Sequence, residues 1–164
     1  MNDYKFRGKR TDNGEWVIGC YAKFVNYLDG NTKPGIQVIT QVPSSFDRMI
    51  PAFETELVEV IPATVGQFTG LKDKNGQELY DGDILQGGQD YEKIYGKPIV
   101  KIGEYIDNGL RHLDLCEDET FPLYGVYIET LWGPGGLSGD HELIKIGNIH
   151  DNPELLGGGP DDDI

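Results

Sequence analysis

The chain has 164 residues, of which 38% are hydrophobic and 10% aromatic, enough to build a core and too apolar for a disordered chain. No apolar run approaches the roughly 18 residues that span a bilayer, and MNDYKFRGKR lacks the apolar centre of a secretory signal, so the expected location is the cytoplasm, with no membrane partner. The net charge of −14 is uneven: residues 1–103 carry 12 Lys and Arg against 14 Asp and Glu, residues 104–164 carry 2 against 14, and such a C-terminal half repels nucleic-acid phosphates.

Glycine, at 23 residues, predicts many tight turns, and five Asn-Gly or Asp-Gly pairs mark candidate hairpins. Tyr4 to Lys9 and Glu15 to Phe24 read as an opening hairpin joined by Arg10 to Gly14. Its partial alternation, Tyr4 and Phe6 and then Trp16, Ile18 and Cys20, predicts that the aromatics turn to the core. A loop over Asp29–Gly35 and a strand over Ile36–Val42 follow. Pro43 ends that strand, and Ser44 or Ser45 can cap a short helix over Phe46–Ile50.

Thr55–Ile61 and Val65–Leu71 are strand-like. The next strand opens at Asp83, after turns at Asn75-Gly76 and Asp81-Gly82, with Tyr80 and Ile84 assigned to the core. Gly87 to Gly96 reads as a mobile polar loop. Ile99–Ile106 is a strand with Gly103 as a candidate bulge, and Asn108-Gly109 turns it. Residues 111–119 are acidic, Tyr124–Trp132 is a strand, Gly133–Gly139 a loop and Glu142–Ile149 the last strand. Asn152, Pro153 and Glu154 then form the strongest helix-start signal in the chain, with Gly157 as its stop. The glycine-rich, anionic stretch 157–164 is expected to be a disordered tail.

These elements predict an α+β, mostly β fold: short-stranded antiparallel sheet with one or two short helices. Three segments, YKFRGKRTDNGEWVIGCY, TVGQFTGLKDKNGQELYDGDIL and IGNIHDNPELL, together bracket residues 4–156, and on them the chain resembles the YopX family of small phage and prophage proteins. The resemblance implies a single domain over 1–156, with the N-terminal hairpin at about 4–24 and an SH3-like barrel or roll over about 55–150. It also implies residence in a bacterial host's cytoplasm and a homo-oligomer. It carries over no catalytic residue, and the stretches 26–55 and 86–98 match no family motif.

Candidate chemistry is sparse. Asp73, Asn75, Glu78, Asp81 and Asp83 offer oxygens to a hard cation, but an EF-hand-type loop needs glycine at its sixth position, and Gly76 falls at the fourth from Asp73. They read instead as turn-formers, with Asp83 bonding local amides as its strand opens. His112, His141 and His150 lie in separate segments, and Asp140-His141-Glu142 is the nearest approach to a ligand trio.

Cys20 and Cys116 are 96 positions apart without a CxxC pair, and no serine sits in a GxSxG pattern, so no catalytic, cofactor or metal residue is assigned. Lys5, Arg7, Lys9 and Arg10 are the candidate interaction surface, interleaved with Tyr4 and Phe6 as in a nucleic-acid stacking platform, or simply forming the outer face of a strand.

The functional expectation is a non-enzymatic accessory protein acting through protein contacts or self-assembly, with a basic host or phage protein as the other candidate partner. The alternative is nucleic-acid-related: weak binding by the basic hairpin, or acidic mimicry of DNA. A small metal-dependent enzyme ranks third.

Overall fold

The Asn13-Gly14 turn closes the first hairpin. Asn13 Oδ1 accepts the Glu15 amide at 2.9 Å, and Gly14 takes φ +74°, a conformation open mainly to glycine. The computed structural model describes residues 5–25, 30–42, 52–105, 123–136 and 142–156. They divide into two compact units, residues 1–67 and 68–164.

In the first unit β1 (Phe6–Lys9) pairs with β2 (Trp16–Val25), β2 with β3 (Thr32–Val42), and β3 with β4 (Ala52–Glu59), all antiparallel. β3 starts before the expected Ile36, inside the anticipated loop. Pro34 is accommodated because β4 ends opposite Gly35, and the Pro34 carbonyl then accepts the Val60 amide at 3.2 Å.

Phe6 of β1 shares the core-side face of Gly8 and Gly19, as expected, but the core face of β2 is the opposite of the one predicted. Ile18 is half exposed and Cys20 exposed, whereas Gly8 and Gly19 face the core built by Ile36, Val58 and Val60. A Cβ on Gly19 would lie 2.1 Å from the Gln37 carbonyl oxygen, so the glycine permits the close approach that lets Ile36 bury completely. Strand alternation allows either face inward, and packing volume selected the glycine face.

Val60 bridges to Arg10, and the Ile61 amide donates to the Lys9 carbonyl at 2.8 Å, so the chain after β4 curls back toward β1. That contact is a single bridge. The closed SH3-like barrel implied by the resemblance is therefore not formed. The fold is α+β and mostly β, with two antiparallel sheets, of six and five strands among the described residues.

β5 (Gly66–Lys72) pairs through Gly66 and Gln67 with β1 and through Phe68 and Lys72 with β6 (Glu78–Tyr80). The second unit continues with β7 (Asp83–Gln86), α1 (Gln89–Tyr95), β8 (Ile99–Tyr105), β9 (Leu123–Thr130), β10 (Gly133–Gly136) and β11 (Ile144–Asn148). Its core is Leu79, Leu85, Val100, Ile128 and Leu143, with Leu71, Tyr91 and Val126 packed against it. Tyr80 and Ile84 are buried, as their positions after the turn predicted.

Four further expectations are corrected here. The supposed loop 87–96 contains α1, bracketed by Gly88 and by Gly96 at φ +71°, with the Tyr91 and Tyr95 rings one turn apart, tilted by 38° with centroids 4.8 Å apart. Gly103 pairs regularly with Gly125 and makes no bulge; the irregularities lie in β11 between Lys145 and Gly147 and between Phe68 and Lys72 of β5.

Residues 133–136 form an edge strand, where Pro134 needs no ladder partner on its open side. The C-terminal helix signal yields only a 3-10 turn, Pro153–Leu156. Asn152 Oδ1 is directed at the Asn148 amide (3.4 Å), across the space left by Gly147, so it does not cap a helix. The expected helix at 46–50, the turn at Asn108-Gly109, the acidic stretch 111–119 and the tail 157–164 lie outside the described residues.

Candidate functional site

The four basic residues of the hairpin do not form one cationic stripe. Arg7 and Lys9 lie opposite Ile18 and Trp16 in the register and share their face. The Arg7 guanidinium sits 4.8 Å from the Trp16 ring centroid and the Lys9 ammonium 5.6 Å from it, a cation–π arrangement in which Arg7 is only 5% exposed.

Arg10 points away from that face. It forms a two-point contact with Asp12 (2.9 and 2.8 Å) and lies 3.8 Å from Glu56. The hydrogen bond to Asp12 holds the arginine's pKa above its usual range, and the same bond pulls the Asp12 carboxyl down to about 2. Lys5 is half-buried. Phe6, expected to interleave with the cations, turns to the other face against Tyr21 at 5.5 Å, and Tyr4 lies outside the described residues. The aromatic that accompanies the cations is Trp16.

The carboxylates after β5 are used by the fold. Asp73 Oδ1 accepts the Asn75 and Gln77 amides at 2.9 and 2.8 Å, and its Oδ2 accepts the Lys145 amide at 2.9 Å, which ties the turn to β11. The Tyr80 hydroxyl donates to Glu78 at 2.8 Å.

Asp83 is wholly buried; its Oδ2 accepts the Tyr80 amide at 2.8 Å and meets the Lys145 ammonium at 2.9 Å. These oxygens converge on amides and a lysine. Among the described residues no three His, Cys, Asp or Glu side chains are grouped to hold an ion. His150 sits in the turn after β11, where its amide donates to Asn148 Oδ1 at 3.0 Å; His112, His141, Asp114, Asp140, Cys116, Ser44, Ser45 and Ser138 are outside the described residues.

The surface that sequence reasoning missed lies on α1 and the β9–β10 turn. Ile94 (52% exposed), Tyr95 (40%), Leu131 (62%) and Trp132 (72%) form it. The Leu131 amide donates to the Tyr95 carbonyl at 3.1 Å, and the Trp132 indole N–H donates to the Ile94 carbonyl. Thr130 Oγ1 accepts the Trp132 amide at 3.2 Å and donates to the Gly133 carbonyl at 2.8 Å, fixing the turn that presents the pair.

Burial against the core, and secondarily Tyr95, raises the Tyr91 pKa, so the inner turn of α1 is packed while its outer apolar side chains face water. The glycine bracket at 88 and 96 and the Tyr91/Tyr95 spacing were the available signals. Seven residues are too few for periodicity to declare a helix. A smaller apolar face stands on the first unit, where Ile18, Ile39 and Leu57 are 50%, 61% and 44% exposed.

A family model described as YopX protein matches residues 5–157. No curated protein and no solved structure matches the chain.

Proposed function

The chain belongs to the YopX family, and on that premise we propose a phage-derived accessory protein of the bacterial cytoplasm that acts through protein contacts, with a second copy of itself as first partner. The observation that carries the proposal is Trp132: it is 72% exposed, yet its indole N–H is tied to the Ile94 carbonyl. An aromatic side chain already held in place loses little conformational freedom on binding, and tryptophan and tyrosine dominate interface hot spots. Leu131, Tyr95 and Ile94 extend it into an apolar patch, a surface that marks contact sites on soluble proteins.

Self-association through this patch works against a net charge of −14, so it strengthens as salt screens the repulsion; docking of a basic protein would weaken instead. Sedimentation of the full chain over concentration and salt, with Trp132→Ala and Leu131→Asp as variants, tests the proposal. A chain that stays monomeric at its highest attainable concentration, or an assembly that both variants leave intact, would sink it.

A second reading rests on Arg7 and Lys9 beside Trp16, which suits weak contact with single-stranded nucleic acid. Such binding would quench Trp16 fluorescence and fall steeply with salt. Acidic mimicry would instead show no DNA binding but competition for a basic protein.

A further inference from the structure

β4 closes one side of the first unit's sheet as an edge. Over eight residues it pairs with β3 and with no other strand among the described residues, and its backbone meets the first hairpin only at Glu59, whose carbonyl accepts the Thr11 amide at 3.1 Å. Four consecutive residues, Glu54 to Leu57, are exposed, so neither face of the strand is covered there. The register with β3 separates the two faces: Thr55 and Leu57 stand with Ile39 and Gln37, while Glu56 stands with Val38 and Glu54 shares its face. One face therefore carries Ile39 and Leu57 open to solvent beside Gln37 and Thr55, and the other carries the exposed Glu54 and Glu56. Arg10 reaches Glu56 only at 3.8 Å and leaves its side chain 65% exposed.

An open edge strand offers a row of backbone donors and acceptors to any extended chain. Charge decides which chain. Two copies of β4 paired antiparallel about Thr55 would bring Glu54 of one against Glu56 of the other, and like charges directly opposite are destabilising. In that register the glutamates disfavour a second copy, and their charge favours a basic segment.

We propose that β4 accepts an extended partner segment by strand addition, and that this segment alternates basic and apolar residues. Its basic side chains meet Glu54 and Glu56, and its apolar ones continue the Ile39 and Leu57 face. This surface is separate from Trp132 and stands whether or not that patch self-associates.

The test is fluorescence anisotropy of the full chain with a labelled peptide of alternating lysine and valine, beside a peptide of the same composition in which the lysines and valines form blocks. Glu54→Lys/Glu56→Lys reverses two exposed charge contacts and is expected to weaken the alternating peptide about tenfold or more. Trp132→Ala is expected to leave it unchanged. Amide exchange within residues 54–57 should slow when the peptide is present. Equal binding of the blocked peptide, an unchanged affinity in the double variant, or protection confined to other segments would each overturn the proposal.

Discussion

The Lys145 ammonium lies 2.9 Å from the carboxylate of Asp83, a residue with no solvent exposure, and this ion pair joins β11 to the start of β7. A buried carboxylate is tolerated only when paired and hydrogen-bonded, and the Tyr80 amide supplies the second contact. Asp83→Ala strands Lys145 and the amide together, and urea unfolding should show a loss of about 3 kcal/mol. Asp83→Asn keeps an acceptor for Tyr80 and is expected to cost less. An alanine variant within about 0.5 kcal/mol of wild type, the range of ordinary surface substitutions, would refute the role given to the pair.

Glycines on the two sheets should respond in opposite ways. Gly19→Ala places a Cβ 2.1 Å from the Gln37 carbonyl oxygen, backbone that cannot swing aside, so destabilisation of about 2 to 3 kcal/mol is expected. Gly125 in β9 has no atom within 4 Å of its would-be Cβ, and Gly125→Ala is expected to be neutral or slightly stabilising. Thermal unfolding of the two variants side by side decides it; equal effects would contradict the packing described.

Asp12 sets a pH signature. Its folded pKa of about 2 lies below the ordinary value of 3.8, so the contact with Arg10 contributes fully above about pH 4 and is lost as pH falls toward 2. Wild type should melt above Asp12→Asn at neutral pH, and the gap should close between pH 4 and 2. Both side chains reach solvent, so the gap should also shrink in high salt. A gap unchanged down to pH 2 would rule out the pairing as its source.

Trp132→Ala should separate stability from association. The side chain is largely exposed, so unfolding should move by no more than about 0.5 kcal/mol. Circular dichroism melts beside the sedimentation series show whether that separation holds. A large loss of stability would mean that the indole supports the fold, and not a contact.

Strands and turns were legible because their signals are local. Asp83–Gln86 begins where Asp81-Gly82 directs it, with Gly82 at φ +83°, and Gly76 takes φ +81° as an Asn-Gly turn requires. The turn-forming role of Asp73 and Asp83 was equally readable, because each accepts amides within a few residues of its own position. The long partner, Lys145, was not, since nothing local links it to either aspartate. α1 escaped notice for want of length, and β10 because glycine and proline form a strand only where a neighbour supplies the ladder.

The sequence by itself determined a mostly β chain, most of its described strands, the turns at Asn13-Gly14, Asn75-Gly76 and Asp81-Gly82, and its family. Tertiary structure alone decided which face of β2 lies inside. Alternation with period two is symmetric between faces, and only the volume of Ile36, Val58 and Val60 against Gly8 and Gly19 broke that symmetry. That choice turned Ile18 and Cys20 outward and set Arg7 and Lys9 around Trp16. A long-range contact, Trp132 onto α1 across 38 residues of sequence, likewise made the exposed patch that no local pattern announces.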